Sequence, residues 1–310
     1  MKRGIWIVAI LLVIGAVAAW VLRGQIRAML FQPTAANLAY GAASPAQTLD
    51  LYAPKTGEGP FPVVVYIHGG AFQFGDKREL SGGFVDGIQA LNAQGIAVAS
   101  INYRMAAEAR FPAAVMDARS AVRWLRANAA AHRLDPDGIG VWGKSAGGYL
   151  AMMVGVTDAE AAFDDAAIAP GVSSRAAAVV AMYGPTDFLQ MDTQLRASPC
   201  GATAATHDGA DSPESKFLGA PVQSNPALAQ RANPAAYVRA DAPPMLLQAG
   251  DADCTVPHEQ TLLMAAVLKA KGAPVEVQIF PGAGHVGAAF ETPSNLRLVA
   301  DHFARHLAKR

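Results

Sequence analysis

Ser145 stands in Gly143-Lys144-Ser145-Ala146-Gly147, and three other stretches carry residue types able to work with it: His68 to Phe72, Gly250 to Pro257, and Pro281 to Gly287. A serine hydroxyl is a weak nucleophile until a histidine takes its proton and a carboxylate holds that histidine in the right tautomer. The apolar run Ile139 to Trp142 reads as a strand and Tyr149 to Val156 as a helix, which puts Ser145 on the turn between them. That order is the one a nucleophile elbow requires, with the hydroxyl exposed on a strained turn. Gly143 and Gly147 leave room where the strand and helix backbones approach. A helix starting at Ala146 would aim unpaired N–H groups, and the positive end of its dipole, at a forming oxyanion.

The same letters satisfy a phosphate-cradling loop: Gly138, four intervening residues, then Gly143-Lys144-Ser145. Such a loop needs small, open residues after a strand, whereas Ile139 to Trp142 look like the strand itself and Leu134 to Asp137 like a turn. The elbow is therefore the expected structure, with a nucleotide phosphohydrolase as the alternative of another class. Of the histidines after the insertion of about 184–243, His258 begins a helix, and His302 and His306 fall on the last helix, on a side expected to be solvated. His285 stands in a Gly-rich loop after a strand, from which it could reach Ser145 as the base. Asp251 and Asp253 compete for the acid, since both lie in one loop at a strand's end. The loop His68 to Phe72 follows a buried strand and offers backbone donors for an oxyanion, Gly70 and Ala71, to be joined by Ala146. His68 itself reads as an orienting or core histidine.

Two other patterns are set aside. Gly282, Gly284 and Gly287 mimic a dinucleotide fingerprint, but they follow the last strand and no carboxylate stands about 20 residues on. His302 and His306 have metal-ligand spacing, yet Phe303 occupies the place of the glutamate that a zinc protease needs. No cofactor or metal is implied. The 25 basic and 25 acidic residues balance, which removes the electrostatic case for nucleic acid.

Ile5 to Leu22 carries no charge. As a helix rising ~1.5 Å per residue it matches the ~30 Å hydrocarbon core of a bilayer. Being apolar on all sides, it fits a soluble amphipathic helix poorly. Residues 1–23 thus read as an uncleaved anchor or as a secretory signal peptide, for which Ala16-Val17-Ala18 offers small residues of the cleavage type. Either way the body is expected outside the cytoplasm, periplasmic or secreted. Cys200 and Cys254 suit a disulfide in that compartment, or stand as two buried thiols.

Residues 24–45 read as a linker, and the rest as one α/β domain over 46–310. Half-buried Gln47 to Ala53, then Val63 to Ile67, Ile96 to Ile101, Ala176 to Met182, Pro244 to Ala249 and Val275 to Phe280 read as strands. Helices over Pro112 to His132, Glu259 to Lys271 and Pro293 to Leu307 alternate with them, so the sheet should be mostly parallel with helices on both faces. Arg104 and Asp117 are a structural pair. The Pro-, Ser- and Asn-rich stretch of about 184–243 is an insertion expected to lie over the strand ends as a lid.

His68 to Phe72 (HGGAF), Asn102 to Arg104 (NYR), Gly143 to Gly148 (GKSAGG), Asp253 to Pro257 and Gly282 to His285 (GAGH) together resemble the α/β-hydrolase superfamily. The likeness is greatest to its bacterial esterase and lipase branch, related to hormone-sensitive lipase and to feruloyl or acetylxylan esterases. The resemblance implies a Ser145, Asp253, His285 triad, donors at Gly70, Ala71 and Ala146, and small-molecule ester substrates. A serine peptidase of the same fold is the nearer alternative. Ala71, often a third glycine in the family, and Tyr149, often histidine, are departures.

Overall fold

The computed structural model describes residues 21–201 and 206–308. Residues 1–20, which hold most of the run read as an anchor or signal peptide, lie outside the described residues. Among the described residues no helix is long and apolar enough to cross a membrane.

The chain folds around one eight-stranded sheet of order β1-β2-β4-β3-β5-β6-β7-β8. Its strands are β1 (Ala35–Ala39), β2 (Thr48–Tyr52), β3 (Phe61–Ile67), β4 (Ala97–Ile101), β5 (Leu134–Lys144), β6 (Ala178–Met182), β7 (Met245–Gly250) and β8 (Val275–Phe280). β1 pairs with β2 and β2 with β4 antiparallel; every other pairing is parallel. Parallel strands need both faces covered, and the period-2 alternation of β3 shows how that is met. Val63, Val65 and Ile67 face one core with α3 (Ala113–Ala127), α4 (Ala146–Val156) and α8 (Glu259–Ala270). Val64 and Tyr66 face the other with α2 (Gly82–Ala93) and α10 (Pro293–Leu307). Each of these fully buried aliphatic side chains is worth roughly 1.5–3 kcal/mol.

Capping fixes where the helices begin. Ser81 accepts from Phe84 N ahead of α2, and Thr292 accepts from Asn295 N ahead of Pro293 and α10. In the insertion, α5 (Met191–Ala197), α6 (Pro213–Leu218) and α7 (Pro226–Arg231) are short, and Ser212 and Asn225 cap the latter two as their sequences suggest. The insertion packs on the body through α6: Phe217 stacks on Phe72 with ring centroids 4.1 Å apart. Because the parallel strands run one way, the loops after β3, β4, β5, β6, β7 and β8 all leave the same edge of the sheet, where α/β proteins place ligands.

Four sequence expectations differ from the structure. The stretch read as a linker has regular structure: residues 21–30 are helical, named α1 here, and β1 forms the antiparallel edge. Leu134 to Asp137 is no turn but the start of β5. β3 pairs Phe61 with Leu134 and next Val63 with Ile139, so the intervening residues bulge, which accommodates Pro136. β2 is buried rather than half-buried, its Asp50 fully covered and paired with Arg78 and Lys77. His302 is buried as well, not solvated. Burial and the neighbouring His306 push its pKa down to about 4. Glu276, His302 and His306 bring donor atoms within 4.8 Å of one another, but Arg305 already holds Glu276 at 2.9 Å.

Candidate active site

β5 delivers Ser145 and α4 carries the chain away from it. The turn is tight: a Cβ on Gly147 would lie 2.0 Å from Ile67 O, and one on Gly143 2.0 Å from Gly147 O. Ser145 itself takes φ 54°, a left-handed conformation that costs a non-glycine residue of order 1–3 kcal/mol. Its N–H donates to Met182 O at 2.9 Å, so β6 holds the turn in place.

The side chains predicted to meet do so. Ser145 Oγ lies 2.8 Å from His285 Nε2, and His285 Nδ1 lies 2.7 Å from Asp253 Oδ2. With the Nδ1–H donated to Asp253, Nε2 is left to accept from the serine hydroxyl. Asp253 is buried and oriented from behind, since its Oδ1 accepts from Thr255 N at 2.8 Å and Val256 N at 2.9 Å. Of the two competing carboxylates only Asp253 bonds the His285 ring; Asp251 Oδ1 accepts from Gly282 N at 2.6 Å, which ties it to the backbone of the His285 loop instead. Tyr183 packs edge-on against the His285 ring at 4.9 Å, and burial pushes its phenol up to about 12. A neutral side chain therefore backs the imidazole.

The loop after β3 curls over the serine. A Cβ on Gly69 would lie 3.3 Å from Ser145 Cβ. Gly70 has φ 115° and space for nothing larger, because a Cβ there would sit 1.8 Å from Phe74 O. Ala71 and Phe72 follow at φ 53° and 60°, so the alanine in a place often glycine is strained rather than neutral. Burial of Phe72 against Phe217 and Tyr149 holds that strain. Among the described residues the N–H groups of Gly70, Ala71 and Ala146 donate to no partner. His68 lies beneath, stacked on Tyr103 at 4.6 Å with Nδ1 2.6 Å from Gly69 O, and burial lowers its pKa. It supports the loop from inside the core. Tyr149, the other departure, is buried and donates its hydroxyl to Ala232 O at 2.7 Å, joining α4 to the insertion.

Lys144 has an occupation that the phosphate-loop alternative does not provide for. Burial opposes its charge, but Glu79 at 3.8 Å and Glu291 at 3.4 Å outweigh that and hold its pKa above the ordinary value. The ammonium also lies over Tyr66 and Trp142. Arg104 and Asp117 pair as expected, at 2.7 Å, and Gln47 adds a bond to the same carboxylate.

Of two further groups close to Asp253, the disulfide follows the sequence reading and His207 escapes it. Cys254 is bonded to Cys200, closing a 54-residue separation, which the chain-entropy model values at roughly 4 kcal/mol. Replacing both by serine is expected to lower unfolding free energy by up to about that amount, measured by urea denaturation. His207 lies with Nδ1 2.8 Å from Glu214 Oε2 and Nε2 2.7 Å from Thr255 O. Both partners are acceptors, so the ring binds both only as imidazolium. Burial pulls its pKa down, but the hydrogen bond and charge of Glu214 outweigh it, with help from the Thr255 carbonyl and Asp192, and the pKa is raised above 6.5. This contribution to stability is complete below 6.5 and is lost as pH rises through the raised value. His207→Ala breaks a buried pair and should cost about 3 kcal/mol at pH 6. The gap in melting temperature from wild type should narrow toward pH 9, as calorimetry can check.

A family model described as BD-FAE matches residues 49–268. Esterase LipC of Mycobacterium tuberculosis (strain ATCC 25618 / H37Rv) is 32% identical over 243 residues, covering 78% of this chain and 57% of its own length. This chain thus spans little more than half of that relative. A solved structure described as a truncated form of carbohydrate esterase from gut microbiota superposes with TM-score 0.77 at 28% identity, covering 88% of this chain and 96% of its own. A bifunctional GH43-CE of Bacteroides eggerthii gives TM-score 0.78 at 31% identity, covering 88% of this chain and 38% of its own.

Proposed function

Because this chain belongs to the BD-FAE family of α/β-hydrolase esterases, we propose that it hydrolyses carboxylic esters by transferring the acyl group to Ser145 and then to water. The observation that carries this reading is the unbroken path from Asp253 through His285 to the Ser145 hydroxyl. His285 takes the hydroxyl proton as Oγ attacks the ester carbonyl, and the Asp253 carboxylate stabilises the imidazolium that forms. The negative charge on the tetrahedral oxygen falls to the N–H groups of Gly70, Ala71 and Ala146, whose freedom from other partners supports the assignment. The imidazolium next returns its proton to the leaving alcohol. Water then attacks the acyl-enzyme with His285 again as base, releasing the acid and restoring Ser145.

An open groove beside the donor loop, lined by Gln73, Ala106, Arg110 and Lys216, offers polar room for the alcohol portion. The structural neighbours named for carbohydrate and GH43-CE activity make acetylated sugars a substrate class to try. The test is a panel of short-chain, long-chain, aryl and acetylated-sugar esters, with matched amides, run on wild type and Ser145→Ala. Ester turnover that vanishes in the variant is expected. Amide turnover with equal dependence on Ser145 would instead make the protein a peptidase, and nucleotide hydrolysis requiring Mg²⁺ would remove it from acyl transfer.

A further inference from the structure

The edge of the sheet that carries Ser145 is also the edge at which the described residues begin, at Val21. α1 packs along α2 and runs the same way: Gly24 lies against Gly82, Arg27 bonds Asp86 at 2.6 Å, and Phe31 stacks on Tyr52 at 5.3 Å. α2 crosses from the end of β3 to the start of β4, so its first residues lie at the C-terminal edge of the parallel strands. The start of α1 lies there too. Contacts lead from that point to the catalytic serine: a Cβ on Gly83 would meet the Glu291 carboxylate, and Glu291 holds Lys144, the residue before Ser145.

Exposed apolar side chains collect on this edge. Phe74, Leu80 and Val286 are 66%, 56% and 69% exposed. Phe74 closes the turn on Gly70, Leu80 follows the Glu79 that faces Lys144, and Val286 follows His285. Val21 and Leu22, the first described residues of α1, are exposed at the same edge of the sheet, and Ile26, Met29 and Leu30 are exposed further along that helix. Among the described residues the one other exposed large apolar side chain is Leu262, on α8.

We propose that this edge rests on a lipid bilayer, with Ile5 to Leu22 spanning the hydrocarbon and the mouth of the site opening onto the membrane surface. The esters taken are then those presented at, or dissolved in, that surface. The occupant is argued from the chain itself: in the sequence a run of bilayer length leads directly into the residues of α1, whose described start lies at the edge that also carries Phe74, Leu80, Val286 and Ser145. Arg23, the first charge after the run, falls at the headgroup level that such a span would give it. The source of substrate rests on the ester-hydrolase reading; the orientation does not.

The test uses the full chain in phosphatidylcholine–phosphatidylglycerol vesicles containing lipids that carry a nitroxide at known depth. Phe74→Cys, Leu80→Cys and Val286→Cys are each labelled with a thiol-reactive fluorophore, beside Lys271→Cys at the opposite edge of the sheet. Quenching of the first three by shallow nitroxides, and none at residue 271, is expected. Equal quenching at all four sites, quenching at none, or loss of the chain from vesicles on washing would overturn the orientation. A spectral shift that follows protein concentration rather than lipid would assign the face to a second copy and overturn it too. Leu80→Asp should slow hydrolysis of a vesicle-borne long-chain ester about tenfold and leave a soluble acetyl ester unchanged; equal rates on both would count against the proposal. Reaction of Ser145 with a fluorophosphonate in the same samples separates the two readings. Capture without quenching ends the orientation alone, and quenching without capture ends the hydrolase reading alone.

Discussion

Ser145→Ala is expected to lower kcat/KM on a soluble aryl ester by about 10⁶, the size such a change has in other triads acting as a unit. The loss should be in turnover, because the substitution removes the atom that forms the acyl bond and leaves the groove and the free N–H groups in place. Stability should move the other way or hardly at all: Ser145 is held at φ 54° by its neighbours, and removing one hydroxyl relieves none of the close contacts of Gly143 and Gly147. Stopped assays combined with a melting curve distinguish the two effects. A variant that melts like wild type and still turns over would place the chemistry elsewhere.

Asp253→Asn should cost about 10⁴ in kcat for a different reason. Oδ1 of Asp253 is committed to the amides of Thr255 and Val256, so an asparagine would keep its oxygen there and present its NH₂ to His285. Facing a donor, Nδ1 must become the acceptor, which moves the ring proton to Nε2. Ser145 then meets an N–H instead of a base. Because this defect is one of tautomer, turnover should recover in part at high pH if hydroxide replaces the general base, whereas Ser145→Ala should not recover. A pH–rate profile of both variants checks the distinction.

The sheet was legible because its central strands are continuous β-branched runs, and Val63 to Ile67 could hardly be anything else. The meeting of Ser145, His285 and Asp253 was legible because an elbow, a Gly-rich loop after the last strand and a carboxylate at a strand end follow a fixed chain order. Separating Asp251 from Asp253 needed the direction of each carboxylate, which depends on the loop amides of Thr255, Val256 and Gly282 and leaves no mark on composition. β1 and α1 were missed because they sit at the sheet's margin with mixed polarity, where packing rather than pattern decides. The bulge in β5 was hidden by Asp135-Pro136-Asp137, residues that usually make turns.

His207 illustrates a different kind of gap. It lies in a loose polar stretch with no motif, and its value comes from two acceptors, Glu214 and Thr255, that the fold brings to its two nitrogens. Lys144 is similar: next to a serine and two glycines it resembles a phosphate ligand, and only the approach of Glu79 and Glu291 from distant loops shows how its charge is used. Buried polar groups must find partners, and those partners are chosen by tertiary structure.

The central claim is that Ser145 is a nucleophile activated by His285. Its most direct measurement is reaction of the purified protein with a fluorophosphonate, followed by mass spectrometry of the peptide containing residue 145. Stoichiometric phosphonylation at Ser145, abolished in His285→Ala with the fold intact, is the result expected. A Ser145 left unmodified in protein that hydrolyses esters, or modified equally fast without His285, would contradict it.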